Sequence, residues 1–297
     1  FSTGSEITAE TLLQQADAAM YRAKEAGRGR FQYYSENMTI AARERVDIDN
    51  RLRQAIKHNE FRVYYQPQVD IVSGRIVGAE ALVRWQDANE GLIPPSRFIP
   101  VAEETGMIRD IGEWVLRETC RQGRAWSDAG LPPIVLAVNI SAHQIRHGNL
   151  IETVDRILGE TGFSPRFLEL ELTESALMEK TNEVSTLLND LRARQIRLAI
   201  DDFGTGYSSL AYLKRFPLDI LKIDKSFIDD ISHDQDDREI IKAVIEMGHA
   251  LGIKVLAEGV ESGEQLAFLQ AQGCDAYQGY FCSKPVPADV FSRLLSR

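Results

Sequence analysis

Five carboxylates, one carboxamide and one amine fall inside or at the ends of short apolar runs in this chain. IVLAV stops at Asn139, FLEL at Glu171, RLAI at Asp201 and Asp202, DIL at Lys222 and KVLA at Glu258, while Glu80 lies inside IVGAEALVRW. One polar residue closing a strand is ordinary turn chemistry; a series of them is not. If the runs are parallel strands of a barrel, their ends share one rim and these distant positions converge there. Two carboxylates ~4 Å apart repel by about 4 kcal/mol at an effective dielectric of 20. Several such pairs among Glu80, Glu171, Asp201, Asp202 and Glu258 would rival the ~5–15 kcal/mol stability of a domain, so the cluster must bind protons or cations. Oxygen ligands with an amide favour Mg²⁺ or Mn²⁺ over zinc. More acids than one ion needs suggests two ions, with Asp201 as the bridge. Such a pair can deprotonate a shared water and stabilise in-line displacement at phosphorus, so phosphate-ester hydrolysis is the expected reaction.

The elements that must position these residues begin at Glu60. Strand candidates are Phe61–Gln66, Ile76–Arg84, Ile134–Asn139, Phe167–Glu171, Ile196–Asp201, Leu218–Ile223, Lys254–Glu258 and Ala276–Gln278. Amphipathic helical stretches lie between most of them: Glu113–Ala129, Leu150–Glu160, Val184–Arg194, Arg238–Leu251 and Gly263–Gln272. Seven or eight such units in about 240 residues suit an α/β fold, the (β/α)8 TIM-like barrel. A hairpin around Ser73-Gly74 makes the start of the barrel irregular. Strand–helix alternation alone does not decide closure, so a doubly wound open sheet is the competing topology.

Composition sets the outer bounds. The 297 residues carry 34 Lys+Arg and 44 Asp+Glu, a net charge of −10, and 44% are hydrophobic. That balance is globular rather than disordered. No apolar run approaches the ~20 residues that span a bilayer, and no signal peptide is visible. The acidic excess argues against a nucleic-acid polymer or an anionic membrane as partner. Cys120, Cys274 and Cys282 form no CxxC pair, the usage of a reducing, cytoplasmic setting. His143 and His147 lack the Glu of HExxH and read as surface histidines rather than a zinc pair. Gly204 and Gly206 make no dinucleotide fingerprint or P-loop, and are expected to let the loop Phe203–Ser209 move.

Ahead of the barrel, TAETLLQQADAAMYRAKEAG from Thr8 reads as an amphipathic helix closed by Gly27, followed by a short aromatic strand, Arg30-Phe-Gln-Tyr-Tyr34. One helix and one strand bury no core of their own. Residues 39–58 form a second helix with Val46, Ile48, Leu52, Ala55 and Ile56 as its apolar stripe, a connector into the main domain. Because the chain begins with Phe1, it reads as a fragment. The intact protein's input signal, and any inner-membrane anchor, would then precede it.

Two resemblances attach to these residues. Ala16-Asp17, Ala19-Met20-Tyr21, Ala23-Lys24 and Gly27-Arg28 resemble the close of a GGDEF (diguanylate cyclase) domain. The divisions expected are therefore a GGDEF remnant at 1–36, a linker helix at 37–58 and a barrel at 59–297. The GGDEF loop itself is absent, so no cyclase activity is assigned to this chain. The stretch from Arg51 to Arg297 resembles an EAL domain, the cyclic di-GMP phosphodiesterase family. It carries Glu80-Ala81-Leu82, Asn139-Ile-Ser141, Glu171-Leu-Thr-Glu174, the loop Asp201–Leu210 as DDFGTGYSSL, Lys222-Ile-Asp224, Glu258-Gly-Val-Glu261 and Gln278-Gly-Tyr280, in order.

The EAL resemblance implies a barrel with one strand reversed, a twin Mg²⁺/Mn²⁺ centre, and hydrolysis of one phosphodiester of 3′,5′-cyclic di-GMP to linear pGpG. Carried over by residue, Glu80, Asn139, Glu171 and Asp201 bind the first metal, and Asp201 and Asp202 the second. Lys222 orients the nucleophilic water, and Glu258 is general base or a further contact to the metal centre. Arg84 grips a phosphate or else pairs with an acid, with Gln66, Leu82 and Gln278 as supporting substrate contacts. Glu174 either caps a helix beginning at Ser175 or, with Glu261, holds the glycine loop. The resemblance also implies a homodimer and a GGDEF domain in the same intact chain. A non-catalytic cyclic di-GMP receptor, and a module regulating its cyclase partner, are the competing readings; no expected metal ligand is missing.

Overall fold

The computed structural model describes residues 31–146, 149–178, 181–204, 213–231 and 235–296, with scattered positions between 8 and 20. A helix, α1 (Glu36–His58), ends on Asn59 in the left-handed conformation and turns directly into the sheet. Strands β1 (Phe61–Asp70) and β2 (Ile76–Asp87) form the expected hairpin, and β3 (Gly91–Ile93) pairs with the end of β2. Helices α2 (Pro95–Thr105) and α3 (Ile108–Asp128) lead to β4 (Val135–Ile140). Helices α4 (Ala142–Arg146) and α5 (Leu150–Thr161) precede β5 (Leu168–Thr173), and α6 (Glu174–Met178) and α7 (Thr181–Ala193) precede β6 (Arg197–Phe203). The chain continues through β7 (Ile220–Ile223), α8 (Lys225–Asp229), α9 (Gln235–Ala250), β8 (Lys254–Ala257) and α10 (Gly263–Ala271). It closes with β9 (Ala276–Gln278), β10 (Val286–Pro287) and α11 (Ala288–Leu295).

Pairing settles closure. The strands run β10-β1-β9-β8-β7-β6-β5-β4-β2-β3, and β1 also pairs with β2, so eight of them close into a barrel flanked by two short accessories. β1 is antiparallel to both barrel neighbours, and the other barrel pairs are parallel. The barrel, not the open sheet, is the topology.

Two layers of side chains follow from strand alternation. The continuous apolar core includes Leu168, Leu170 and Leu172 of β5, Leu198 and Ile200 of β6, and Val255 of β8, packed outward against the helices. The lumen face is different: small residues Gly78, Ala137 and Ala199 alternate there with charged and amide side chains. β1 and β2 outrun the rim. Pairing of β2 with β4 stops at Ala81↔Val138, but the hairpin continues to Phe61↔Trp85.

The second half of α1 is part of this packing rather than a free connector. Ile48, Leu52 and Ala55 are buried, whereas Val46 of the expected stripe is exposed. Arg51 ties the helix down, 2.8 Å from Asp87 and 2.5 Å from Glu90, with its guanidinium 5.2 Å from the Trp85 ring centroid.

Some expectations change. Residues 31–35 take no strand conformation, and Phe31 and Tyr33 are exposed; no strand of the described sheet offers them a partner. Of the opening helix, positions 9, 12, 13, 15, 16, 19 and 20 are described and helical, and the rest lies outside the described residues. His147 and loop residues 205–212 lie outside them too. Helix α2 had no separate expectation, because Pro95 and Pro100 disguise it. Pro95 occupies its first turn, where no amide donor is needed, and Gly106 stops it in the left-handed region.

Candidate active site

The sequence LELELT of β5 sends its leucines outward and turns Glu169 and Glu171 into the lumen. Register places Ala137 beside both Glu80 and Glu169, and Ala199 beside Glu171. Each acid thus has a short neighbour on the adjoining strand, which leaves room at the mouth.

β6 solves a different problem. Successive residues of a regular strand point to opposite faces, yet Asp201 and Asp202 are both needed at the rim. The β6–β7 register breaks between Ile200 and Phe203, and Asp202 takes φ 54°, an unusual conformation for a residue with a side chain. The Asp202 amide donates to Asp201 Oδ1 at 3.0 Å. Through this bulge, Asp201, Asp202 and Glu258 each offer a carboxylate oxygen within 4.8 Å of the others.

Lys222 of β7 stands at the centre. Its Nζ, fully buried, lies 2.7 Å from Glu258, 2.9 Å from Glu171, 3.1 Å from Asp201 and 3.9 Å from Glu80. Burial opposes its charge, but Asp201, Glu171, Glu258 and Glu80 outweigh burial and hold it well above the usual lysine range. The glutamates move the same way. Burial raises Glu171 well above an ordinary carboxyl and pushes Glu258 up to about 8, each opposed by Lys222. Asp202 is also raised, by burial and then by Asp201. One ammonium cannot neutralise five acids, and the burden shows in Glu171, Glu258 and Asp202, which are all held above the ordinary carboxyl range.

Amides orient the remaining ligand. Asn139 Nδ2 donates to Glu80 Oε1 at 2.6 Å, and Gln278 Nε2 donates to Glu80 Oε2. Gln278 Nε2 also donates to Gln66 Oε1 at 3.1 Å, and Gln66 Nε2 to the Ser283 carbonyl at 3.2 Å. Both buried oxygens of Glu171 accept no aligned hydrogen bond. An all-oxygen donor set containing buried, unsatisfied carboxylate oxygens fits a hard divalent cation, and the cluster can hold one.

The expected contacts around this centre are mixed. Arg84, half-buried above Glu80 on β2, donates to the Val83 carbonyl at 2.8 Å and sits 5.7 Å from the Tyr64 ring centroid. It forms no ion pair with a carboxylate among the described residues, and burial lowers its pKa, with Glu80 opposing. Leu82 is half-buried on the same face. Glu174, at the start of α6, accepts from the Gly204 amide at 3.2 Å, so it reaches the beginning of the glycine loop. Glu261 pairs with Lys225 at 2.7 Å. Sequence reasoning passed over Glu169 and Gln68, both buried on the lumen face. Their spacing of two from Glu171 and Gln66 was the available signal.

The fold and site define a closed α/β barrel whose mouth gathers oxygen donors able to hold a cation around one lysine, and similarity gives the family. The chain matches the EAL domain over residues 49–285 and belongs to that family. It is 43% identical over 286 residues to the bifunctional diguanylate cyclase/cyclic di-GMP phosphodiesterase MucR of Pseudomonas aeruginosa, covering 96% of this chain and 42% of that protein. It is 38% identical over 294 residues to the cyclic di-GMP phosphodiesterase PdeR of Escherichia coli, covering 99% and 44%. The chain thus spans less than half the length of either relative. Among solved structures, the PaMucR phosphodiesterase in complex with c-di-GMP superposes with a TM-score of 0.80 at 44% identity, covering 82% of this chain and 99% of that one.

Proposed function

We propose that this chain hydrolyses one phosphodiester of 3′,5′-cyclic di-GMP to linear pGpG with the help of two Mg²⁺ or Mn²⁺ ions. The observation that carries the reading is the convergence of Glu80, Asn139, Glu171, Asp201, Asp202 and Glu258 around Lys222. Five carboxylates against one ammonium leave four negative charges, the number that two divalent ions balance. Glu80, Asn139, Glu171 and Asp201 would hold one ion, and Asp201 and Asp202 the other. When bound, such ions supply a more acidic water and neutralise charge on the phosphoryl oxygens.

The chain's own residues do the rest. Glu258, whose carboxylate lies within reach of Asp201 and Asp202 and 2.7 Å from Lys222, would take the proton of the attacking water once cations at the cluster hold it ionised. The water oxygen bonds to phosphorus, the bond from phosphorus to the 3′ oxygen breaks, and that oxygen takes a proton from solvent. Lys222, held positive, orients the water and offsets charge that develops on phosphorus. Arg84, lacking a carboxylate partner among the described residues, binds a phosphate oxygen, with Gln66, Leu82 and Gln278 lining the approach. Glu174 supports the glycine loop. Glu261 supports the same region by fixing Lys225.

Residues 1–36 are proposed as the end of a GGDEF domain, 37–58 as the linker and 59–297 as the catalytic barrel of a cytoplasmic homodimer. The bifunctional description of MucR, matched over 96% of this chain, supports a GGDEF partner in the intact protein. Among the described residues no helix is long and apolar enough to cross a membrane. Incubation of the purified chain with cyclic di-GMP and Mg²⁺ or Mn²⁺, resolved by chromatography, tests the activity. Metal-dependent pGpG is the expected product; binding without turnover would establish the receptor reading instead.

A further inference from the structure

Below the mouth, the barrel lumen holds polar groups that the hydrolytic chemistry does not use. One lumen position down each strand from Gln66, Glu80, Asn139, Glu171 and Asp201 lie Gln68, Gly78, Ala137, Glu169 and Ala199. A (β/α)8 barrel normally fills such a layer with bulky branched side chains. Here three of the five are glycine or alanine. The two that reach toward the axis are an amide and an acid, each almost fully buried. Gly78 is part of the arrangement, because a side chain there would strike Gln68 Oε1.

The donors and acceptors of this layer do not balance within the protein. Gln68 Nε2 and both carboxylate oxygens of Glu169 are buried with no hydrogen-bond partner among the described residues. Directly above Glu169 on β5, the oxygens of Glu171 accept no aligned hydrogen bond either, although Lys222 lies 2.9 Å away. The register neighbours of Glu171 cannot steer it. Asn139 gives its amide to Glu80, and Ala199 has no polar side-chain atom. Orphan groups at this depth are costly, and ordered water normally serves them.

The chemistry of the orphans selects the ligand. A cation between the two acids would face the Gln68 amide hydrogens, whereas a water accepts from that amide and donates one hydrogen to each carboxylate. Strand geometry sets the Cα atoms of Glu169 and Glu171 about 7 Å apart, and one water joins oxygens up to about 5.6 Å apart. We propose that a water is bound here, accepting from Gln68 Nε2 and donating to Glu169 and Glu171. Gln68 and Glu169 are thereby positioning residues that aim the Glu171 carboxylate at its cation. The hydration site stands on the lumen geometry; its effect on the cation rests on Glu171 being a ligand, as proposed above.

A high-resolution crystal structure of the wild-type protein tests the site directly. One water within about 3.2 Å of Gln68 Nε2, Glu169 and Glu171 is the expected result; a layer without a water touching all three overturns the inference. Calorimetry with Mn²⁺ reads the positioning role. Gln68→Met, which removes the donor at similar volume, should weaken Mn²⁺ binding about tenfold. In a Glu169→Leu background the same change should cost less than about twofold, because both residues act through one water. Additive losses, or unchanged affinity in Gln68→Met, refute the positioning role. A wild-type protein that binds no Mn²⁺ defeats the two-ion reading and the positioning role with it, while the crystal structure decides the hydration site separately.

Discussion

Glu169 offers the most direct check on the electrostatics of the barrel. It is fully buried in the lumen, and neither of its carboxylate oxygens has a hydrogen-bond partner among the described residues. Burial raises its pKa from 4.5 to about 7, with Lys222 and Arg197 opposing. The folded protein therefore binds this proton more tightly than the unfolded chain does. Stability from the protonated group is complete below 4.5 and is lost as pH rises through about 7, a change of about 3 kcal/mol. Glu169→Gln keeps the shape but never ionises, so it escapes that loss. In chelator-treated protein, the variant should gain on the wild type by about 3 kcal/mol between about pH 4 and 8.5. For 297 residues that is about 5 °C in Tm at alkaline pH. Taking the acid-side difference as baseline removes any constant contribution from the new amide. Paired thermal melts across the pH range measure it. Parallel curves, or a wild type that gains on the variant as pH rises, would refute the reasoning.

Glu80→Ala or Asp201→Asn should remove metal-dependent turnover and weaken Mn²⁺ binding by calorimetry, with the circular dichroism spectrum retained. Near-normal rates in either variant would dismantle the ligand assignment. Glu258→Gln should lower kcat by at least about a hundredfold while cyclic di-GMP still binds, as befits a general base; loss of binding would mark the residue as structural. Arg51→Ala should cost about 2 kcal/mol in urea unfolding, because Asp87 and Glu90 lose charged hydrogen bonds and Trp85 loses its cationic cover. No change in the midpoint would mean that α1 docks through its apolar residues alone.

Much of the architecture was legible in the residues, and the exceptions share a cause. Strand positions were recovered because β-branched and leucine runs alternate with helical periodicity, and the turn at Ser73-Gly74 was visible in its own composition. The rim cluster was visible because polar residues repeatedly ended apolar runs. Position 31–35 failed because aromatic content favours strands only where a partner exists. Glu169 was overlooked because it sits before a strand end rather than at one, although LELEL announces its face. Lys222 was expected as a partner of water; its role as the common counter-charge of four carboxylates depends on distances that no local pattern encodes.

The kink at Asp202 has a bearing on protein engineering. Copying the acidic side chains onto another barrel with ideal strands would send one of the two neighbouring aspartates into the outer packing layer. A transplant would have to carry the backbone irregularity along with the residues, and the donor loop that tolerates it. Directed-evolution libraries that vary only side-chain identity on a regular scaffold would never sample this arrangement.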